Sequence, residues 1–412
     1  MSNTQKKNVP ELRFPGFEGE WEEKKLGENA IIKGRLGWKG LKQSEYLEKG
    51  YAYLIANKHI NSGHINWEKA DQISRYRYEE SPEIALEKGD LIFSKDGALG
   101  NPALINNLTK PATINSTMML VRLDQKNFSS IFFYQILLGP LFNKLIYLKV
   151  SGSSIPHLFQ ADMKEFKFNA PPLIEQQKIG KFFSKLDRQI ELEEQKLELL
   201  QQKKKGYMQK IFSQELRFKD ENGNDYPEWE KKKLKEIAYV YTGNTPSKKE
   251  NIYWIKGEYV WVTPTDINNS KNIYESEHKL TQEGYKKARQ LPENTLLVTC
   301  IASIGKNAIL RKQGSCNQQI NAVVPFENIN IDYLYYISDS LSTFMKSIAG
   351  KTATQIVNKN TFENLEIYLA SFEEQNKIAG LISSLEELIE KQASKLIKMK
   401  SRKQGMLQIM FI

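Results

Sequence analysis

Cysteine is almost absent from this 412-residue chain; Cys300 and Cys316 are the only two. Two thiols build no disulfide framework, and their spacing matches no zinc or redox motif. A reducing cytoplasm is the compartment this implies. Histidine is nearly as scarce: His59, His64, His157 and His278 make neither an HExxH pair nor a Cys/His ligand set, so no metal site is expected. Residues 1–8 are polar and lack the apolar stretch of a signal peptide. The most apolar run, Ile131 to Leu148, is interrupted by Gln135, Gly139, Pro140, Asn143 and Lys144. That disqualifies it as a membrane span of ~20 residues and marks it as buried helix, so no membrane partner is expected.

Nucleotide and cofactor motifs are missing too. Gly350-Lys351-Thr352 lacks a phosphate loop's first glycine, because Met345 stands there. Asn169-Ala170-Pro171-Pro172 departs from the Pro-Pro signature of amino-methyltransferases at Ala170, and no glycine-rich loop precedes it. It reads instead as a rigid lead-in to a helix, whose first turn tolerates proline. The acidic residues assemble no nuclease pattern. The chain is therefore expected to hold no catalytic residue and no cofactor.

What is present begins with charge. Lys and Arg number 59 against 49 Asp and Glu, a net charge of +10. Such an excess suits a polyphosphate partner, since each phosphate contact releases counterions; an anionic membrane surface is the other partner it suits. The apolar and charged fractions, 40% and 26%, are those of an ordinary globular protein. The length suggests roughly two to four domains.

The chain is also written twice. Glu11-Leu12-Arg13-Phe14 recurs as Glu215-Leu216-Arg217-Phe218, and Trp21-Glu22-Glu23-Lys24-Lys25-Leu26 as Trp229-Glu230-Lys231-Lys232-Lys233-Leu234. Each half closes on a similar segment: residues 173–212 and 372–411, at an offset of 199, are identical at 14 of 40 positions. The matches include Glu175-Gln176 with Glu374-Gln375, Lys178-Ile179 with Lys377-Ile378, and Gly206, Gln209 and Phe212 with Gly405, Gln408 and Phe411.

Both closing segments carry a stripe of period 3.5, the mark of a coiled coil. The first stripe runs through Ile179, Phe183, Leu186, Ile190, Leu197, Leu200, Tyr207 and Ile211. The second runs through Ile378, Ile382, Leu385, Ile389, Leu396, Met399, Met406 and Met410. Forty helical residues span about 60 Å, with Gly206 and Gly405 as places where the last turns bend or fray. The polar exceptions fall at matching positions, Glu193 and Lys204 against Gln392 and Lys403. An antiparallel register that sets Glu193 by Lys403 and Lys204 by Gln392 keeps polar groups together.

Between these segments lie two diverged mixed α/β regions. The strand Asp90–Ser94 leads to the turn Asp96–Gly100, and Thr295–Thr299 to Ala302–Lys306. Each is followed by an asparagine-bearing strand, Asn115–Val121 or Asn317–Val323, and an aromatic helix around Phe132-Phe133-Tyr134 or Tyr333-Leu334-Tyr335-Tyr336. Each region ends in a polar turn, Ser151–Pro156 or Ala349–Thr354. The expected architecture is α+β: residues 1–170 a first head, 171–213 a long helix, 214–370 a second head and 371–412 a second long helix. The two helices pair as an antiparallel coiled coil with pseudo-two-fold symmetry.

This order resembles the specificity subunit of type I restriction-modification systems. The likeness rests on the duplicated order of Trp-x-x-x-x-Leu openings, the Gly-Ser-Ser-Ile-Pro-His and Gly-Lys-Thr-Ala-Thr-Gln turns, and the Glu-Gln-x-Lys-Ile helix starts. It implies two target-recognition domains, each reading one half of a bipartite site on double-stranded DNA. It also implies helices that space the heads and dock two modification (methyltransferase) subunits and, through them, restriction subunits. S-adenosylmethionine, ATP and magnesium then belong to those partners, with methylation and cleavage. Reading from one face of B-DNA requires half-sites roughly 34–36 Å apart.

Guanine is read by Arg or Lys and adenine by Asn or Gln, while phosphates take Lys, Arg, Ser, Thr and backbone amides. On that chemistry the candidates in the first head are Lys39, Lys42, Arg75, Arg77, Lys95, Ser153, Ser154 and His157. Those in the second are Lys248, Lys249, Thr263, Thr265, Asn268, Lys306, Lys351, Thr352 and Gln355. Solvated lysines and turn-satisfying asparagines are the plainer reading of such residues, and Gly100, Gly152, Gly305 and Gly350 read as turn formers. The competing functions are a stand-alone nucleic-acid-binding regulator, a nuclease that cuts without added subunits, and a coiled-coil adaptor indifferent to DNA sequence.

Overall fold

The computed structural model describes residues 8–36, 39–151, 156–268, 270–349 and 356–411. The chain forms two compact units, Met1–Gln195 with Ser394–Ile412, and Lys196–Ala393. Each unit thus contains one head and a part of each long helix.

In the first unit, the apolar run Leu91-Ile92-Phe93 is too short for a helix and forms the buried strand Leu91–Ser94. It lies inside a four-stranded antiparallel sheet ordered Ala30–Lys33, Met118–Leu123, Leu91–Ser94, Gly100–Leu104. Strand alternation divides the core between its two faces. Phe93, Met119 and Val121 pack with the helix Ser130–Leu138, while Ile92, Met118 and Leu120 pack against a second, three-stranded sheet. That sheet is ordered Asp71–Ile73, Ala52–Ile55, Ala112–Ile114, with its last pair parallel. Full burial of each such side chain contributes roughly 1.5–3 kcal/mol.

The second unit repeats the plan. Its main sheet runs Ala238–Thr242, Ile320–Pro325, Thr295–Thr299, Asn307–Leu310, with Asn272–Ile273 added in parallel at the edge. Leu296, Val298 and Val323 face one cluster, and Leu297, Ile320 and Ala322 the other. The smaller sheet is His278–Leu280, Tyr259–Val262, Gly314–Cys316, again with one parallel pair. Burial pushes both thiols, Cys300 and Cys316, up to about 12, so neither is a nucleophile.

The repeated motifs are the ties between head and helix. Arg13 donates through Nε and Nη2 to the two oxygens of Glu175, both at 2.7 Å. Arg217 does the same to Glu374, at 3.1 and 2.8 Å. Both carboxylates are fully buried, and a two-pronged charged bond is the geometry that compensates such burial. Gln176 accepts from the Ser129 amide at 3.0 Å and donates to the Pro171 carbonyl at 2.8 Å. Gln375 makes the equivalent bonds to Asn330 and Ala370, both at 2.9 Å. The Trp-x-x-x-x-Leu openings become the strands Glu22–Lys25 and Glu230–Lys233, paired with Lys167–Ala170 and Glu366–Leu369 at the feet of the helices.

The long helices are Leu173–Phe212 and Phe372–Met410. Both run through Gly206 and Gly405 without a break, contrary to the bend expected there; neither glycine has a neighbour pressing on it. In the stripe, Ile179, Phe183, Ile190, Ile378, Ile382 and Leu396 are buried. Leu186, Leu197, Leu200, Leu385, Ile389 and Met399 are half-buried, whereas Tyr207 is exposed.

The antiparallel direction holds within each unit, but the register differs from the expected one. In the first unit Lys403 meets Asp187 at 2.6 Å and Glu193 meets Lys395. In the second, Lys204 meets Glu386 at 2.7 Å rather than Gln392. The reason is charge: each stripe lysine is matched by a carboxylate, which compensates its desolvation better than an amide does.

Two further expectations are corrected. Asn115 and Asn317 are not in strands; they head tight turns that precede the strands Met118–Leu123 and Ile320–Pro325. The apolar run near Ile131 is two helices, Ser130–Leu138 and Pro140–Ser151, bent by 50°. Among the described residues no single helix is long and apolar enough to cross a membrane; this bent pair passes only by length and composition, and its Phe132, Phe133 and Phe142 lie in the core.

Candidate nucleic-acid interface

In the second head, the loops beyond the strand Tyr259–Val262 and the turn Asn317–Gln319 border a cleft of about 610 Å³. The cleft gathers Lys248, Thr263 and Thr265 from the expected set and adds Thr245, Glu277 and Gln318. Asp266 organises one wall: it accepts from the Thr263 amide and hydroxyl, both at 2.7 Å, and from the Glu277 amide at 2.9 Å. The Thr263 and Thr265 hydroxyls are 2.7 Å apart. Lys248 is exposed, with Nζ 6.0 Å above the Trp261 ring, so its charge sits at the rim. Near that wall, hydrogen bonds from Lys279 and Lys312 hold the Glu275 carboxyl down at about 2, which commits those two lysines to it.

The other expected residues of this head are scattered. Lys249 is exposed beside Lys248, and Lys306 is exposed on the turn after Ser303. The Asn268 side chain accepts from the Ser270 amide at 3.1 Å, a turn-stabilising role. Lys351, Thr352 and Gln355 lie outside the described residues.

In the first head, Lys95 and His157 come together. Lys95 pairs with Asp96 at 3.1 Å, His157 Nδ1 meets the other Asp96 oxygen, and the His157 ring lies 4.2 Å from that of Phe159. The Lys95 amide donates to the Thr117 carbonyl at 2.9 Å, which places this cluster beside the turn headed by Asn115. Ser153 and Ser154 lie outside the described residues.

Lys39, Arg75 and Arg77 sit elsewhere, about the short helix Arg75–Glu79. Lys39 donates to the Glu80 carbonyl. Arg77 bonds the Gly40 carbonyl at 3.0 Å and pairs with Glu80 and Glu45. Arg75 pairs with Glu79 at 2.6 Å. These cations therefore serve internal carboxylates and carbonyls, while Lys42 remains exposed.

Inspection of the sequence does not single out Thr245, Glu277 and Gln318, which line this cleft, or Ser116, which follows Asn115 in the corresponding turn of the first head. A signal for two of them was present. Ser116 and Gln318 each follow the asparagine that recurs in both halves, and they differ while it does not.

Comparison with known proteins gives a consistent result. The profile of the type I restriction modification DNA specificity domain matches the chain twice, over residues 18–202 and 226–399. The MjaIX type I restriction enzyme specificity subunit of Methanocaldococcus jannaschii is 35% identical over 186 residues, 43% of each chain. This chain therefore spans less than half the length of that relative. The MjaVIII specificity subunit of the same organism is 24% identical across 95% of this chain and 92% of its own length. The crystal structure of the type I restriction-modification system S subunit from M. genitalium shares the fold, with a TM-score of 0.61, 15% identity, and coverage of 98% and 99% of the two chains.

Proposed function

Because the chain belongs to the type I restriction modification DNA specificity family, we propose that it is the sequence-reading subunit of a type I restriction-modification complex, a binder of double-stranded DNA with no catalytic site of its own. One observation carries this reading. The same fold occurs twice, with the same Arg–Glu tie to its helix, yet with different side chains at the corresponding turns. A protein that reads two unlike half-sites needs that combination, and a stand-alone regulator or an adaptor does not.

In this reading each head recognises one half of a bipartite, gapped site. The long helices dock two modification subunits and, through them, restriction subunits, in the cytoplasm. S-adenosylmethionine, ATP and magnesium are held by those partners. Lys248 and the threonine wall supply phosphate and groove contacts in the second head, and Lys95 with His157 in the first.

The test is a methylation map of a host carrying this gene and its modification subunit, with and without the gene. The expected result is one gapped motif, methylated only when the chain is present, of which exchange of one head alters a single block. Identical maps from cells that form the complex would overturn the reading.

A further inference from the structure

The two heads share one turn whose backbone is superimposable in its bonding and whose tip is not. In the first head the Asn115 amide donates to the Ile55 carbonyl at 2.9 Å, and Asn115 Oδ1 accepts from the Thr117 amide at 3.1 Å. In the second, the Asn317 amide donates to the Val262 carbonyl at 2.9 Å, and Asn317 Oδ1 accepts from the Gln319 amide at 3.1 Å. The third residue of each turn is also tied down through its carbonyl, Thr117 to the Lys95 amide at 2.9 Å and Gln319 to the Cys300 amide at 2.8 Å. The asparagine and the third residue are thus consumed in holding the turn. The middle residue is left over from these bonds: Gln318, exposed, in one head and Ser116, half-buried, in the other.

Gln318 is exposed on the cleft, and Thr245 donates to its Oε1 at 2.7 Å. That bond fixes the plane of the amide while leaving the second lone pair of Oε1 and both Nε2 hydrogens for a ligand. An amide so held offers one acceptor and one donor side by side. In the major groove only adenine offers the complement on a single base, the N6 donor beside the N7 acceptor; guanine offers two acceptors there. Among the described residues lining this cleft there is no arginine, and its lysine, Lys248, sits at the rim over the Trp261 ring rather than beside the Gln318 amide. Ser116 has one short hydroxyl, which donates or accepts and so pairs with any base edge.

We propose that this turn sets a letter of the recognition sequence in each head, and that Gln318 selects an adenine in the half-site of the second. The inference rests on the function proposed above and adds a residue and a base to it.

The experiment is selection of binding sites from a randomised duplex library by the full chain assembled with its modification subunits. Wild type is compared with Gln318→Ser, which installs the first head's residue, with Gln318→Glu, and with Ser116→Gln. Gln318→Ser is expected to lower the preference for adenine at one position roughly 10- to 100-fold and to leave the other half-site unchanged. Gln318→Glu is expected to move that position toward cytosine, whose N4 amino group donates to a carboxylate. Ser116→Gln is expected to sharpen one position in the opposite half-site.

A Gln318→Ser motif identical to that of wild type overturns the inference. So does uniform weakening of every position in both half-sites, which would make Gln318 a folding or phosphate residue. A wild-type complex that selects no gapped motif overturns the proposed function itself, a different result from an intact wild-type motif that ignores Gln318.

Discussion

The two heads solve one folding problem twice and differ in how strongly each grips its own stretch of helix. Glu374 in the second unit accepts from Arg217, from Trp229 Nε1 at 2.9 Å and from the Phe218 amide at 3.3 Å. Its counterpart Glu175 takes both of its bonds from Arg13, and Trp21 Nε1 is buried without a partner. Farther along, Glu386 in the second unit faces Lys204 and Lys271, at 2.7 and 3.0 Å, and accepts from the Tyr336 hydroxyl. Asp187, at the matching place in the first unit, faces Lys403 at 2.6 Å and accepts from Gln135 at 3.2 Å. The anchor stands in both halves, and the second half has additional donors around it.

The largest effect should come from the anchors. Glu374→Ala strands a half-buried guanidinium and an indole N–H, and should destabilise the second unit by roughly 3–5 kcal/mol. Glu175→Ala should destabilise the first by about 1 kcal/mol less, since two donors fewer, the indole and the backbone amide, are orphaned. Hydrogen exchange read by mass spectrometry separates the two, because protection is lost unit by unit. Equal losses in both would remove the asymmetry argued above.

The comparison sharpens at the helix pairs. Glu386→Gln removes the charge that faces two lysines and should weaken the second unit by about 2 kcal/mol. Asp187→Asn faces one lysine and should weaken the first by about 1 kcal/mol. Urea titration of each variant, with the change in midpoint compared at constant slope, measures both. A larger loss for Asp187→Asn than for Glu386→Gln would show that Lys271 does not add to the cluster.

Much of this was present in the sequence and some was not, for physical reasons. The repeat, the two long helices and their buried faces follow from period alone, because Ile179, Phe183, Ile378 and Ile382 recur at helical spacing. Register does not follow from period. A 3.5-residue stripe is satisfied almost equally after one helix slides by about a heptad, and Lys403 accordingly meets Asp187, six residues from the Glu193 partner expected for it. The candidate binding residues were hidden differently. Arg75 and Arg77 have the chemistry of readers, but Glu79 and Glu80 engage them at helical spacing, and Glu45 joins Arg77 only in the fold. Gln318 has a reader's chemistry by type, but so do many other glutamines; what singles it out is the turn held by Asn317 and the bond from Thr245, which appear only in the fold.

The smallest effect concerns acidity and isolates the cluster around Glu386. Burial pushes this carboxyl upward, but hydrogen bonds from Lys204 and Tyr336 and the charges of Lys204 and Lys271 outweigh it and hold the group below the ordinary carboxylate range. A carboxyl depressed by folding contributes stability that is fully present above the unfolded value, about 4.3 for glutamate. That contribution is lost as the pH falls through the lowered folded value. The second unit of wild type should therefore lose part of its margin over Glu386→Gln as the pH is taken from 7 to below 4. Every other carboxyl titrates in both proteins, so the difference between their unfolding midpoints at each pH cancels the common loss. A difference that narrows on acidification is the expected result. One that stays constant from pH 7 to pH 3 would mean that Glu386 folds with the acidity of a free side chain, and that Lys271 and Lys204 act on it only through packing.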